Sequence, residues 1–208
     1  MNAFNRLITL TLLCSPVAFV AGCIESDDPV QMVKPEVTAY ALSATNSLVP
    51  FEPTTGITGS PITITGLTTG DSVIGIDFRP QDGALVALAR NTATPRLYTV
   101  NTSTGAATPI SCNTITEAPD STPFTLTGAS YGVDFNPAAN RLRIVSDTEE
   151  NYRLNLTVSP CTVTRDTALT AGTVVDAAYT NNFHNAAITT LYNIDSASDM
   201  LVLQGGVD

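Results

Sequence analysis

Two sets of residues in this chain have the type and spacing to do chemistry, and the aspartates come first. Asp77 lies in Gly75-Ile76-Asp77-Phe78-Arg79-Pro80 and Asp134 in Gly132-Val133-Asp134-Phe135-Asn136-Pro137. A weaker copy, Val174-Val175-Asp176-Ala177-Ala178-Tyr179, brings Asp176 to the matching place. Carboxylates repeated on strands around a channel would supply oxygen ligands for Ca²⁺. Alternatively, each would accept hydrogen bonds from backbone amides at a strand end or turn. The structural role is the main expectation, no metal ligand is assigned, and a Ca²⁺ site at Asp77, Asp134 and Asp176 is the alternative.

The second set is Gly128-Ala129-Ser130-Tyr131-Gly132, which has the Gly-x-Ser-x-Gly spacing of a nucleophile elbow. A hydrolase would place Ser130 on a tight turn between strand and helix, with His184 as base and Asp134 or Asp176 as the acid. Here the segment runs straight into the Gly-Val-Asp-Phe strand and Pro137, which leaves no room for the helix. No catalytic residue is assigned. His184 is the only histidine and lies in a polar turn, Thr180-Asn181-Asn182-Phe183-His184-Asn185. A transition metal would need a cluster of His or Cys that the chain does not have.

The cysteines divide by position. An apolar stretch from Leu7 to Val20 follows Arg6, which suits a signal-peptide core better than a membrane span of ~20 apolar residues. It ends in Val20-Ala21-Gly22-Cys23, a sequence like a bacterial lipobox. Residues 1–22 are expected to be a lipoprotein signal peptide and Cys23 the lipidated N-terminus, the other reading being an ordinary secretory signal cut nearby. Residues 23–36, with Glu25, Asp27, Asp28 and Pro29, read as an acidic flexible tether that cannot bury itself. Ile24 after the cysteine fits delivery to the outer membrane or cell surface. Cys112 and Cys161 remain as an even pair in an oxidising compartment, expected to form a disulfide. Free thiols or a metal site are the competing readings.

These side chains must be positioned by strands. Each Gly-x-Asp-Phe-x-Pro unit is followed by a second apolar run, Ala84-Leu85-Val86-Ala87-Leu88 or Arg141-Leu142-Arg143-Ile144-Val145. A third run follows, Arg96-Leu97-Tyr98-Thr99-Val100 or Asn151-Tyr152-Arg153-Leu154-Asn155. Ile62-Thr63-Ile64-Thr65 and Leu97-Tyr98-Thr99-Val100-Asn101 alternate with period two. Turns fall at Gln81-Asp82-Gly83 and Ser103-Thr104-Gly105, and prolines at strand ends leave little room for helices. The spacing predicts an all-β, propeller-like array of antiparallel four-stranded blades at residues 37–208, with a β-sandwich as the alternative. The segment from Asn113 to Pro123 reads as an inserted loop and Asp147-Thr148-Glu149-Glu150 as a solvated hairpin tip. The last unit has no clear fourth strand. That leaves an incomplete ring with an edge strand near Leu201-Val202-Leu203, a risk for association.

Several of these segments together resemble a bacterial family of secreted or surface proteins with propeller-like repeats, DUF4394. They are the Gly-x-Asp-Phe-x-Pro units, the run from Leu97 to Pro109, Arg141-Leu142-Arg143-Ile144-Val145-Ser146-Asp147-Thr148, Ala177-Ala178-Tyr179-Thr180-Asn181 and Leu191-Tyr192-Asn193-Ile194-Asp195. The resemblance covers roughly Tyr40 onward and implies the fold and an extracytoplasmic setting, with no activity attached. It also implies a domain cut short at its C-terminal end, because family domains continue past Leu201-Val202-Leu203-Gln204-Gly205-Gly206.

Composition narrows the function classes. Beginning at Cys23, the mature chain keeps eight basic and nineteen acidic residues. That balance, with no basic run, argues against nucleic acid and anionic lipid as partners. The absence of Trp removes the commonest sugar-stacking side chain. Two classes remain. One is a non-catalytic, envelope-anchored module, held to the membrane through its N-terminal lipid, that binds a protein or polymer. The other is a Ca²⁺-dependent propeller hydrolase or lactonase-like enzyme.

Overall fold

The computed structural model describes residues 38–112, 114–170 and 172–205. The expected signal peptide, Cys23 and the tether lie outside the described residues. Among the described residues all regular structure is strand, and no helix occurs.

Four sheets follow one another along the chain. The first contains β1 (Ala39–Ser43), β2 (Ser47–Phe51) and β3 (Ile62–Thr63), in that order. The second contains β4 (Ser72–Phe78), β5 (Leu85–Asn91), β6 (Thr94–Val100) and β7 (Ala107–Pro109), an antiparallel meander. Next come the short strands β8 (Ile115–Glu117) and β9 (Thr122–Pro123). The third sheet contains β10 (Tyr131–Asn136), β11 (Arg141–Ser146), β12 (Asn151–Asn155) and β13 (Cys161–Arg165). The last contains β14 (Val174–Tyr179), β15 (Leu191–Asp195) and β16 (Met200–Gln204).

The segment expected to be a loop is a hairpin, β8–β9, and its physical role is clear from the pairing. It precedes the third sheet in sequence but joins that sheet's far edge, where β8 pairs in parallel with β13 through Ile115↔Cys161 and Val163↔Glu117. Cys112 and Cys161 form a disulfide at this point, with Cα atoms 4.9 Å apart. The bridge therefore fastens a hairpin of very short strands, which could not hold by itself. Arg165 adds an ion pair to Glu117 at 2.6 Å.

Hydrogen-bond register assigns the repeats. Phe78 pairs with Leu85, Phe135 with Leu142 and Tyr179 with Leu191. Asp77 therefore matches Asp134, and the third equivalent is Ala178. Asp176 instead occupies the place of Gly75 and Gly132. A bulge between Val73 and Gly75 recurs between Val174 and Asp176, at the same distance from the aromatic residue. The expected equivalence of Asp176 with Asp77 and Asp134 is thus corrected by two residues. By the same matching, β1 and β2 correspond to β5 and β6, and among the described residues the first sheet shows no counterpart of β4.

Alternation along the strands gives every sheet two faces. At each of the three junctions the forward face of one sheet meets the rear face of the next. Tyr40, Leu42 and Leu48 of the first sheet pack on Leu85, Ala87, Ala89 and Tyr98 of the second. Val86, Leu88 and Leu97 of the second join Val133, Phe135, Leu142, Ile144, Tyr152 and Leu154 of the third in the largest core. Val145 of the third meets Val174, Ala177 and Leu191 of the fourth in a smaller one.

Candidate functional site

The aspartates hold adjacent sheets together. Asp77 Oδ2 accepts a hydrogen bond from the Phe135 amide at 2.7 Å, and Asp134 Oδ2 accepts one from the Tyr179 amide. Each carboxyl thus reaches the matching aromatic residue one sheet further on. Neighbouring glycines allow the approach. A Cβ on Gly75 would stand 2.5 Å from a Val133 methyl, and one on Gly132 would stand 2.4 Å from the Asp176 carbonyl carbon. β4, β10 and β14 consequently run side by side in the same direction.

Asp77 and Asp134 are close enough to act on each other, and both titrate above the ordinary carboxylate range. Burial is the main cause for each; for Asp134 the charge of Asp77 adds to it, pushing its pKa up to about 8. Two carboxyls in such contact share a proton, because both cannot be ionised there cheaply. Asp176 is exposed, touches the pair only through its charge and hydrogen-bonds the Ala177 amide. Ca²⁺ needs six or more oxygens from ionised or carbonyl groups. Here one oxygen of each carboxyl already accepts a backbone amide, and burial raises the pKa of both. Among the described residues no group of three His, Cys, Asp or Glu is placed to hold a metal.

Ser130 and His184 do not meet. Ser130 is exposed just before β10, whereas His184 follows the far end of β14. A six-residue strand, roughly 20 Å long, separates the two levels. Ser130 serves through its backbone carbonyl, which accepts from the Asp147 amide.

Phe135 is fully buried, as aromatic packing requires, but Phe78 is over a third exposed and packs on Tyr40 with ring centroids 6.0 Å apart. Tyr179 is partly buried, and its hydroxyl accepts from Arg143 Nε at 3.2 Å. The acidic tip read as solvated is corrected at Glu150, which is buried. Its carboxylate accepts from the Thr127 amide and hydroxyl, the Gly128 amide and the Ser146 hydroxyl, at 2.8–3.1 Å. It thereby anchors the strand-free segment leading into β10. Burial of the acid is sustained by those four donors.

His184 does find company. The turns after β4, β10 and β14 converge on a polar hollow of about 290 Å³ whose lining includes Gln81, Asn136, Asn140, Arg141, His184 and Asn185. Local chemistry explains the asparagines. Asn136 accepts the Ala138 and Ala139 amides at 3.0 and 2.8 Å, an Asx turn. Asn140 and Asn185 sit at φ 50° and 60°, a region Asn tolerates better than most residues. Asn140 also donates to Gln81, which ties the turn of one sheet to that of the next. Phe183, in the same loop as His184, is 60% exposed. A larger cleft of about 460 Å³ lies where the inserted hairpin leans on the second sheet. Its walls include Leu97, Ile115 and Phe124, members of the main core, so it is a seam in the packing.

A family model described as a domain of unknown function, DUF4394, matches residues 47–206. The chain belongs to the DUF4394 family. No curated protein matches it. In this DUF4394 chain the match spans the repeat strands, the carboxyl pair and the polar hollow, so all three lie within the family domain.

Proposed function

We propose that the protein is an envelope-anchored lipoprotein, tethered through Cys23, that binds a ligand without turning it over. Its four sheets are read as blades of an incomplete propeller, each facing the next as described above. The binding surface is the hollow where three successive turns bring Gln81, Asn136, Asn140, His184 and Asn185 together. That convergence carries the reading. Amide side chains both donate and accept, which suits a polymer bearing hydroxyl and amide groups, and exposed Phe183 adds an apolar contact at the rim.

The hydrolase alternative has less support. Its carboxylates share a proton and grip backbone amides, its third aspartate is out of register, and its serine and histidine stand apart. Co-sedimentation with purified peptidoglycan sacculi, a polymer rich in both groups, tests the proposal. The wild type should pellet, and Gln81→Ala or His184→Ala should weaken binding about tenfold while the melting temperature holds. Equal pelleting of all three, or Ca²⁺-dependent release of soluble fragments, would overturn it. Fractionation of a Cys23→Ala variant checks the anchor, which should move from the membrane to the soluble fraction.

A further inference from the structure

Arg141 gives the polar hollow a permanent positive charge, and no acid answers it. Among the described residues Arg79, Arg96, Arg143, Arg153 and Arg165 each form an ion pair with an aspartate or glutamate. Arg90 lies over the Tyr131 ring, 5.1 Å from its centroid. Arg141 has neither kind of partner there. Its Nη1 donates to the Ala139 and Asn140 carbonyls at 3.0 and 2.9 Å, which pins the guanidinium to the turn between β10 and β11. The edge formed by Nε and Nη2 is left without an acceptor among the described residues. That edge presents two parallel N–H groups, the geometry that takes both oxygens of a carboxylate.

The rest of the lining points the same way. It contains no Asp or Glu among the described residues, although the chain has nineteen acidic residues against nine basic ones. The acid nearest in sequence, Asp82, is held by Arg79, whose Nε donates to Oδ1 at 3.0 Å. Asn136 Oδ1 already accepts the Ala138 and Ala139 amides, so Nδ2 is the group it has left. Gln81 Oε1 already accepts from Asn140, so its Nε2 is left. The acceptors that remain, on Asn140 and Asn185, are neutral amide oxygens. A cation flanked by neutral donors, with no competing carboxylate, selects an anion. The acidity of the chain as a whole opposes this little, because exposed charges are screened beyond ~8 Å at physiological ionic strength.

We propose that the hollow recognises a carboxylate on its ligand, the Nε/Nη2 edge of Arg141 taking both oxygens while Gln81 and Asn136 donate from the same lining. This rests on the reading of the hollow as the binding surface, and it narrows the ligand to one that carries carboxylates besides hydroxyl and amide groups. A single arginine matches the single charge of a carboxylate. A phosphate monoester, with a charge of about −1.5 to −2 at pH 7, would meet only one permanent cation.

The probes are D-glucuronate and D-glucuronamide, which differ in that charge, titrated into the ¹⁵N-labelled mature chain with Cys23→Ser in about 0.15 M salt. The Arg141 Nε–H resonance should move with glucuronate and saturate at a concentration at least about tenfold below that needed for the amide, as charge-assisted bonding requires. Gln81→Glu keeps the acceptor for Asn140 but places a competing carboxylate in the hollow, and it should abolish the preference. Arg141→Lys keeps the charge, loses the fork and should reduce the preference. Circular dichroism checks that both variants fold; if either does not, the two probes on the wild type still decide. Equal titration by the two probes, or no shift from either, would overturn the carboxylate site. Saturation by inorganic phosphate at a lower concentration than glucuronate would overturn it in favour of a phosphate site. Sacculi whose carboxyl groups have been amidated should pellet the protein about tenfold more weakly than native sacculi. Equal pelleting on both would keep the polymer reading and overturn the carboxylate. No pelleting on either, with glucuronate still preferred over its amide, would support the carboxylate site and remove only the polymer reading.

Discussion

The junction between the second and third sheets and the junction between the third and fourth use the same device on the inner strands and different filling elsewhere. In both, a glycine admits the next strand and an aspartate caps its amide. Outward from there they diverge. Val86 and Leu97 line the first junction, but the matching residues in the second are Arg143 and Asn151. Arg143 is buried and bonds Asn151 and Asp166, both at 2.6 Å, and Asn151 in turn accepts from Gln204 at 2.9 Å. Asn193 Oδ1 is left buried without a partner on the fourth-sheet side. Strand placement and core energy are therefore separable: inner-strand hydrogen bonds set where a sheet goes, and apolar area decides how firmly it stays.

The largest effect that would test this contrast is in the richer junction. Phe135→Ala removes a fully buried ring from the main core and should cost about 3–5 kcal/mol in chemical denaturation. Leu191→Ala, in the four-residue cluster, should cost about 2–3 kcal/mol, the low end for such deletions. Equal losses would mean that the polar network around Arg143 fills its junction as well as hydrocarbon does.

The disulfide comes next. It spans 49 residues, and in the chain-entropy model breaking a loop of that length costs roughly 3–4 kcal/mol. Cys112→Ser with Cys161→Ser should lower the melting temperature and speed hydrogen exchange at Ile115–Glu117 more than elsewhere. Uniform change across all four sheets would show that the bridge acts on the unfolded chain alone.

Much of this was legible beforehand, for physical reasons. The two Asp-Phe-x-Pro units specify both register and turn, so the meander of the second sheet and the start of the third follow directly. The last sheet, three-stranded among the described residues, was readable from the missing fourth run. The third repeat was misplaced because Asp176 offered the expected residue type where the bonded position holds Ala178. A slip of two leaves strand alternation unchanged, so the apolar pattern could not expose it. The β8–β9 hairpin has strands of two and three residues, too short for any period. Glu150 looked solvated because its donors, Thr127 and Gly128, lie over twenty residues away in sequence. The polar hollow arises only once three turns are brought side by side; its local signals, Asx turns and left-handed asparagines, read as ordinary turn chemistry.

The smallest expected effect concerns the carboxyl pair, and it runs against the usual direction. Asp134 moves from 3.8 to about 8 on folding, and Asp77 also rises. A carboxyl with a raised folded-state pKa binds its proton more tightly when folded. Its contribution is complete below the unfolded value and disappears as pH climbs through the folded one. Between about pH 4 and 8 the pair therefore makes the protein less stable as pH rises. Asp82, Asp166 and Asp195 have lowered values, from hydrogen bonds to Arg79, to Arg153 and Arg143, and to Ser198. Their contributions are present above the unfolded value and lost as pH falls. The two trends separate on substitution. Asp134→Asn keeps an oxygen for the Tyr179 amide and a donor for Asp77, but has no proton to lose. Its melting temperature should match the wild type near pH 5 and exceed it near pH 8, with the acid limb unaltered. A variant that tracks the wild type across the whole range would place the shared proton elsewhere, and would leave the junction of β10 with β14 resting on its amide hydrogen bond alone.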